Sequence, residues 1–170
     1  MNVKLIAMKS KLIMIQLESY GAQFVEELGG RKNVSPEISR LIKEGVLFEN
    51  VYANSFRTDR GTVSASSGHL SYPTVSLMKI PAKMNRLPSI AHALADEGYA
   101  TDYTYGGDIN IMGKKGYLIS AGFQQLTSSK DFSVAEVNES KWGANDSLVF
   151  DRSIQYISHR PADSHWFSVV

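Results

Sequence analysis

The chain has 170 residues, enough for one domain with a real hydrophobic core. Apolar residues at 43% and charged residues at 21% exclude a disordered chain, and a net charge of +1 excludes a general nucleic-acid binder. Cysteine is absent, which removes thiol catalysis, zinc–thiolate sites and disulfides. No apolar run approaches the about 20 residues that span a bilayer, so the polypeptide as given is expected to be soluble.

Residues 1–10, where lysines interrupt a short apolar run, read as a lead-in or cloning remnant. From Lys11 onward strand and helix signals alternate, the pattern of an α/β domain with a mostly parallel central sheet flanked by helices. Lys11 to Leu17 is apolar on both faces, as expected of a central strand covered by helices. Ser35-Pro36-Glu37 starts a helix: an N-cap serine, proline at the first helical position and an acid in the first turn. Ile38, Leu41 and Ile42 keep helical spacing, and Gly45 stops the helix. Val46 to Tyr52 then reads as a strand leading into Arg57-Thr58-Asp59-Arg60.

Leu87-Pro88-Ser89 opens a further helix with Ile90, Ala93 and Leu94 on one face, ending at Gly98. Tyr99 to Tyr105 follows as a strand, then a Gly106-Gly107-Asp108 turn and a helix over Lys115 to Ala121. Residues 127–141 read as polar and irregular. Asp146 to Ile157 is helical, with Leu148, Val149, Ile154 and Ile157 as the inward stripe. Trp166 to Val170 reads as a strand in which the sequence ends, so the chain is expected to be the first part of a larger, truncated domain.

The chemistry centres on Thr58. A hydroxyl between Arg57 and Arg60, just before small residues able to start a helix, suits an anionic phosphate or sulfate group. Alone, Thr58 reads as a loop threonine or a cap, and it needs a base or a metal to become a nucleophile. Glu18, directly after the first strand, is either a solvated turn carboxylate or a hard oxygen ligand for Mg²⁺, Mn²⁺ or Ca²⁺. One of the two arginines reads equally well as an ion-pair partner of Asp59 or Glu49. Asp108 is either a turn-forming side chain or a group that orients substrate hydroxyls. The four histidines form no metal-binding pair, and only His69 lies near Thr58. Gly29-Gly30-Arg31-Lys32 lacks the rest of a phosphate loop. The dispersed aromatic residues offer no stacking platform, so no nucleic-acid partner is expected.

Leu17-Glu18-Ser19, Val34 to Asn54 and Arg57-Thr58-Asp59-Arg60-Gly61 resemble the sulfatase-like phosphoglycerol transferases, including lipoteichoic acid synthases, of the alkaline phosphatase superfamily. Leu87-Pro88-Ser89-Ile90, Tyr105 to Asp108, Gly122-Phe123, Trp142-Gly143 and Phe150-Asp151 continue the resemblance in order. It covers residues 11–170 and implies an alkaline phosphatase/sulfatase-like fold, of which this chain would be the N-terminal part.

Sulfatases proper carry a modified cysteine or serine at the position of Thr58, followed nine and ten residues later by Thr-Gly, where this chain has Ser67-Gly68. The resemblance therefore implies Thr58 as nucleophile and, with Glu18, as metal ligand for Mn²⁺ or Mg²⁺. It implies Arg57, Arg60, Asp108 and Lys115 as substrate contacts, Lys115 through a loosely aligned family arginine. Donor and acceptor would be a phospholipid and the hydroxyl of a glycan or glycerol phosphate. The whole protein would sit in the cell membrane through an N-terminal region, with an extracytoplasmic or periplasmic catalytic domain.

The family's Asp-His metal ligands and a substrate histidine come from the later half of the domain. The chain itself is therefore expected to bind metal weakly or not at all and to be inactive. Hydrolysis of sulfate or phosphate esters is the first alternative, and a non-catalytic domain of the same fold the second.

Overall fold

The computed structural model describes residues 11–138 and 141–170, so the expectation for residues 1–10 lies outside the described residues. The chain divides into two compact units: one takes the residues through Gln16 together with Asn54–Val170, and the other is Leu17–Ala53.

The larger unit is built on a four-stranded parallel sheet. Its strands are β1 (Lys11–Met14), β2 (Ala100–Thr104), β3 (Gln125–Thr127) and β4 (Trp166–Val169), in the order β1-β4-β2-β3. Leu12 lies beside Phe167, and Phe167 beside Thr101. Pairing runs slightly past β1, since Val170 N donates to Met14 O at 3.0 Å and Gln16 N to Val170 O at 2.8 Å. Among the described residues β1 is an edge strand, not the covered central strand expected, and Ile13 and Ile15 are exposed.

Alternation along β2 and β4 gives the sheet two unlike faces. Tyr103, Phe167 and Val169 join an apolar core with Val63, Met78, Ala91, Tyr117, Leu118 and Phe123. The Tyr103 ring meets Phe123 edge-on at 5.4 Å, and Phe123 stacks on Phe167 at 6.1 Å. Apart from Phe123, which follows α5, the partners of the sheet come from α2 (Thr58–Ser67), a 3₁₀ turn at Leu77–Lys79, α4 (Ile90–Asp96, after the short α3, Pro81–Met84) and α5 (Lys114–Ser120). The opposite face is polar. There the Asp102 carboxylate accepts from the Ser168 hydroxyl at 2.8 Å and from the Arg160 guanidinium, which also lies 5.1 Å from the Trp166 ring.

Several local expectations are corrected. Ser89 does cap α4, accepting from Ala91 N at 3.2 Å, but the buried side is Ala91 while Ile90 and Ala93 are exposed. After α6 (Val134–Asn138), α7 (Asp146–Ser158) buries Val149 and Ser153 and leaves Ile154 exposed. Residues 127–141 are not wholly irregular: β3 ends there, a 3₁₀ turn spans Ser129–Asp131, and α6 follows. The Gly106-Gly107 turn owes its composition to close backbone contact. Gly143 has φ +120°, and a Cβ there would stand 2.2 Å from Gly106 O.

In the smaller unit, α1 (Pro36–Glu44) has Pro36 at its first position, and Arg40 pairs with Glu37 and Glu44 at 2.9 and 3.0 Å. Ser35 occupies the N-cap position without a side-chain capping bond. The strand expected at Val46 to Tyr52 does not form; the segment is irregular and most of its apolar side chains are exposed.

Candidate functional site around the α2 N-terminus

Thr58 is the first residue of α2 and is half-buried. Arg57 sits at the N-cap in extended conformation (φ −117°, ψ 133°), and its carbonyl accepts from Arg60 N at 3.1 Å and Gly61 N at 2.8 Å. The Arg57 side chain makes no capping bond and is exposed, so a cation stands at the residue that opens the positive end of the helix. Gly68 closes the helix in the left-handed region (φ 64°), donating to Ser64 O at 2.9 Å.

The next two residues are structural anchors. Asp59 is buried, and its carboxylate lies 3.5 Å from Lys79 Nζ, while its carbonyl accepts from the Ser76 hydroxyl at 3.3 Å. The acid's ion-pair partner is therefore Lys79, not either neighbouring arginine. Arg60 donates from its guanidinium to Pro73 O at 2.8 Å and lies 5.9 Å from the Phe56 ring. That arrangement holds the loop after α2 against the segment before it. Of the two arginines flanking Thr58, Arg57 is the one whose guanidinium stands exposed.

A second group of residues lies after β2. Asp108 is exposed, and its Oδ1 accepts from Asn110 N and Asn110 Nδ2, both at 2.8 Å. These bonds hold its carboxyl below the usual carboxylate range. Lys115 is exposed, whereas Lys114 is buried with Nζ 3.5 Å from the centre of the Tyr105 ring. A buried ammonium over an aromatic face is costly to place and suits an anion-binding region. Only tertiary packing distinguishes the buried Lys114 from the exposed Lys115.

Packing joins the two groups. Gly113 (φ +78°) approaches so closely that a Cβ there would stand 2.6 Å from Met78 O, next to the lysine that pairs with Asp59. One turn past Lys114, the buried Tyr117 hydroxyl shares a 2.7 Å hydrogen bond with Ser67 at the far end of α2. Burial pushes the Tyr117 hydroxyl above its ordinary pKa, with the serine bonds opposing.

Glu18 is exposed in the turn that opens the smaller unit, where Ser19 has φ 58°. Among the described residues no three His, Cys, Asp or Glu side chains come together as a metal-holding group, so these residues do not by themselves fit a complete metal centre. His69 Nδ1 is engaged with Leu70 O at 2.6 Å. No helix among the described residues is long and apolar enough to cross a membrane.

A family model described as sulfatase matches residues 10–170. The chain is similar to a protein in the alkaline phosphatase superfamily from Vibrio parahaemolyticus, at 29% identity and a TM-score of 0.80, covering 94% of this chain and 39% of that one. It is also similar to the lipoteichoic acid synthase LtaP from Listeria monocytogenes, at 14% identity and a TM-score of 0.81, covering 95% and 40%. A third structure is the C-terminal periplasmic domain of EcEptC from Escherichia coli in complex with zinc, at 15% identity and a TM-score of 0.64, covering 94% and 42%. At those identities the second and third likenesses speak to the fold. The chain thus spans about two fifths of the length of the solved structures it resembles.

Proposed function

This chain belongs to the sulfatase family, and on that premise we propose that the protein containing it transfers phosphoglycerol, or a related phospho-alcohol, from a phospholipid to an acceptor hydroxyl. Thr58 is the nucleophile. The observation that carries this reading is the placement of Thr58 as the first residue of α2, beside the exposed cation of Arg57.

In the first step the Thr58 oxygen forms a bond to phosphorus and the bond from phosphorus to the diacylglycerol oxygen breaks. The hydroxyl proton ends on diacylglycerol. In the second step the acceptor oxygen replaces Thr58 on phosphorus, and Thr58 regains a proton. Arg57 faces the charge spread over the phosphoryl oxygens, and the dipole of α2 adds to it. Asp108, Lys114 and the exposed Lys115 supply the second polar group, and Arg60, tied to Pro73 O, serves the loop more than the anion.

A divalent cation, Mn²⁺ or Mg²⁺, is proposed as cofactor of the longer protein. The catalytic domain is proposed to work on the outer side of a membrane, as the word periplasmic describes EcEptC.

Hydrolysis of a sulfate or phosphate ester remains the second reading, because the matching family model is that of sulfatases. Incubating the longer protein with glycerol-labelled phosphatidylglycerol, with and without a glucan acceptor, separates the two. Label arriving on the acceptor supports transfer. Release of inorganic sulfate from an aryl sulfate, with no label transferred, overturns it.

A further inference from the structure

Trp142 is 81% exposed, an unusual place for so large an aromatic side chain, whereas the other of the chain's two tryptophans, Trp166, is 4% exposed. Its backbone is firmly held, because three glycines bring residues 142–144 against the end of β2. A Cβ on Gly107 would stand 2.9 Å from Trp142 O, one on Gly106 2.7 Å from Ala144 O, and one on Gly143 2.2 Å from Gly106 O. Ala144 N donates to Gly106 O at 3.0 Å, and Gly107 O accepts from Ser129 N at 3.0 Å. A fixed segment therefore carries the indole at the carboxyl-terminal edge of the sheet, where ligands of open α/β sheets gather.

The groups beside that segment are polar and of both signs. Asp108 follows Gly107 directly, and both Asn110 bonds go to its Oδ1, leaving Oδ2 without a hydrogen bond among the described residues. Those bonds keep the carboxyl ionised at neutral pH. Lys130, whose charge acts on Asp108, is exposed, as is Lys141, with Nζ 5.6 Å from the centre of the Trp142 ring. An anionic ligand would meet the Asp108 carboxylate, and a wholly apolar one would strip water from it without replacing its hydrogen bonds. A sugar ring satisfies both sets of groups. Its C–H face suits the negative face of the indole, and its hydroxyls donate to a carboxylate oxygen.

We propose that Trp142 is a stacking platform for a sugar ring of a neutral glycan, with Asp108 accepting hydrogen bonds from the sugar's hydroxyls. Where Thr58 transfers phosphoglycerol, this glycan is the acceptor, and only that role rests on the transfer. Binding needs neither Thr58 nor turnover. Its failure therefore leaves the phosphoryl-transfer reading standing, and failure of that reading leaves the binding intact.

The test is saturation-transfer-difference NMR of laminarihexaose, a neutral β-glucan oligosaccharide, with the 170-residue chain, alongside acrylamide quenching of tryptophan emission. Because Trp166 is buried, the quenchable emission comes from Trp142. The expected result is saturable transfer at millimolar sugar that is insensitive to salt, with quenching lowered at least about twofold. Trp142→Ala should weaken the affinity at least about fivefold and Asp108→Ala about threefold, while Trp142→Phe should restore part of the loss. Phe56→Ala, which removes a ring exposed elsewhere in the same unit, should retain binding. Circular dichroism melts check that each variant keeps its fold. Binding that survives Trp142→Ala, or that falls equally with Phe56→Ala, overturns the proposal. So does a matching response to glycerol, which has hydroxyls but no ring face. No response at all, the result expected if the indole seats against a protein surface instead, also overturns it.

Discussion

Replacing Asp102 with asparagine removes one charge from the polar face of the sheet while keeping the side chain's size. Asp102 is 3% exposed and accepts from Ser168 and Arg160, whose own side chain is only 15% exposed. An asparagine oxygen can still accept one bond, but the guanidinium loses its counter-charge in a site largely closed to water. Removing one partner of a fully buried pair costs about 3–5 kcal/mol. The residual exposure of Arg160 lets it recover some hydration, so we expect about 2–3 kcal/mol for Asp102→Asn. For a chain of this size that lowers the melting midpoint by about 5–10 °C. Removing both charges together, as in Asp102→Leu with Arg160→Met, should cost about 1 kcal/mol or less, because no charge is left stranded. Urea and thermal unfolding followed by circular dichroism at neutral pH measure both. A single variant within about 0.5 kcal/mol of the parent, or a double variant as unstable as the single, would refute the reasoning.

The raised Tyr117 hydroxyl makes a signed pH prediction. Its folded pKa exceeds the unfolded one, so the unfolded chain loses this proton first, and the stability it contributes is full below about pH 10 and falls as pH rises further. Tyr117→Phe should flatten that alkaline loss in unfolding measured between about pH 8 and 11, while costing about 1 kcal/mol at neutral pH for the Ser67 bond. Ser89→Ala should cost about 1 kcal/mol through the lost cap on α4, read by urea midpoint. Gly143→Ala should cost at least about 2 kcal/mol, since both its φ and the Gly106 carbonyl resist a Cβ; a midpoint matching the parent would contradict the close approach.

The sequence was most legible where one local signal decided the outcome. Pro36 marked the start of α1, Ser89 the start of α4 and Gly122 the end of the α5 region, and Tyr99 to Tyr105 and Trp166 to Val170 read directly as the strands that become β2 and β4. Val46 to Tyr52 has the apolar content of a strand, yet no ladder partner takes it among the described residues, so propensity alone did not make one. β3 is the reverse case: Gln125–Thr127 has no strand signal and gains its conformation from β2 alongside. On α7 the apolar stripe misplaced Ile154 because this helix lies on a sheet face carrying Asp102 and Ser168, where Ser153 is the buried residue.

At the candidate site, the arginines beside Thr58 and its spacing to Ser67-Gly68 are sequence signals, and the structure adds that Thr58 opens α2 and Gly68 closes it. The pairing of Asp59 with Lys79, the tie from Arg60 to Pro73 and the burial of Lys114 have no such signal, because each depends on a contact made only after folding.

The central claim is that Thr58 accepts the phosphoryl group. It is tested most directly by quenching the longer protein during turnover of labelled phosphatidylglycerol and mapping the modified peptide by mass spectrometry, with Thr58→Ala in parallel. The prediction is a glycerophosphoryl adduct on Thr58 and a loss of label transfer of at least about 10³-fold in the alanine variant. Transfer that survives Thr58→Ala, or an adduct on another residue, would contradict the assignment.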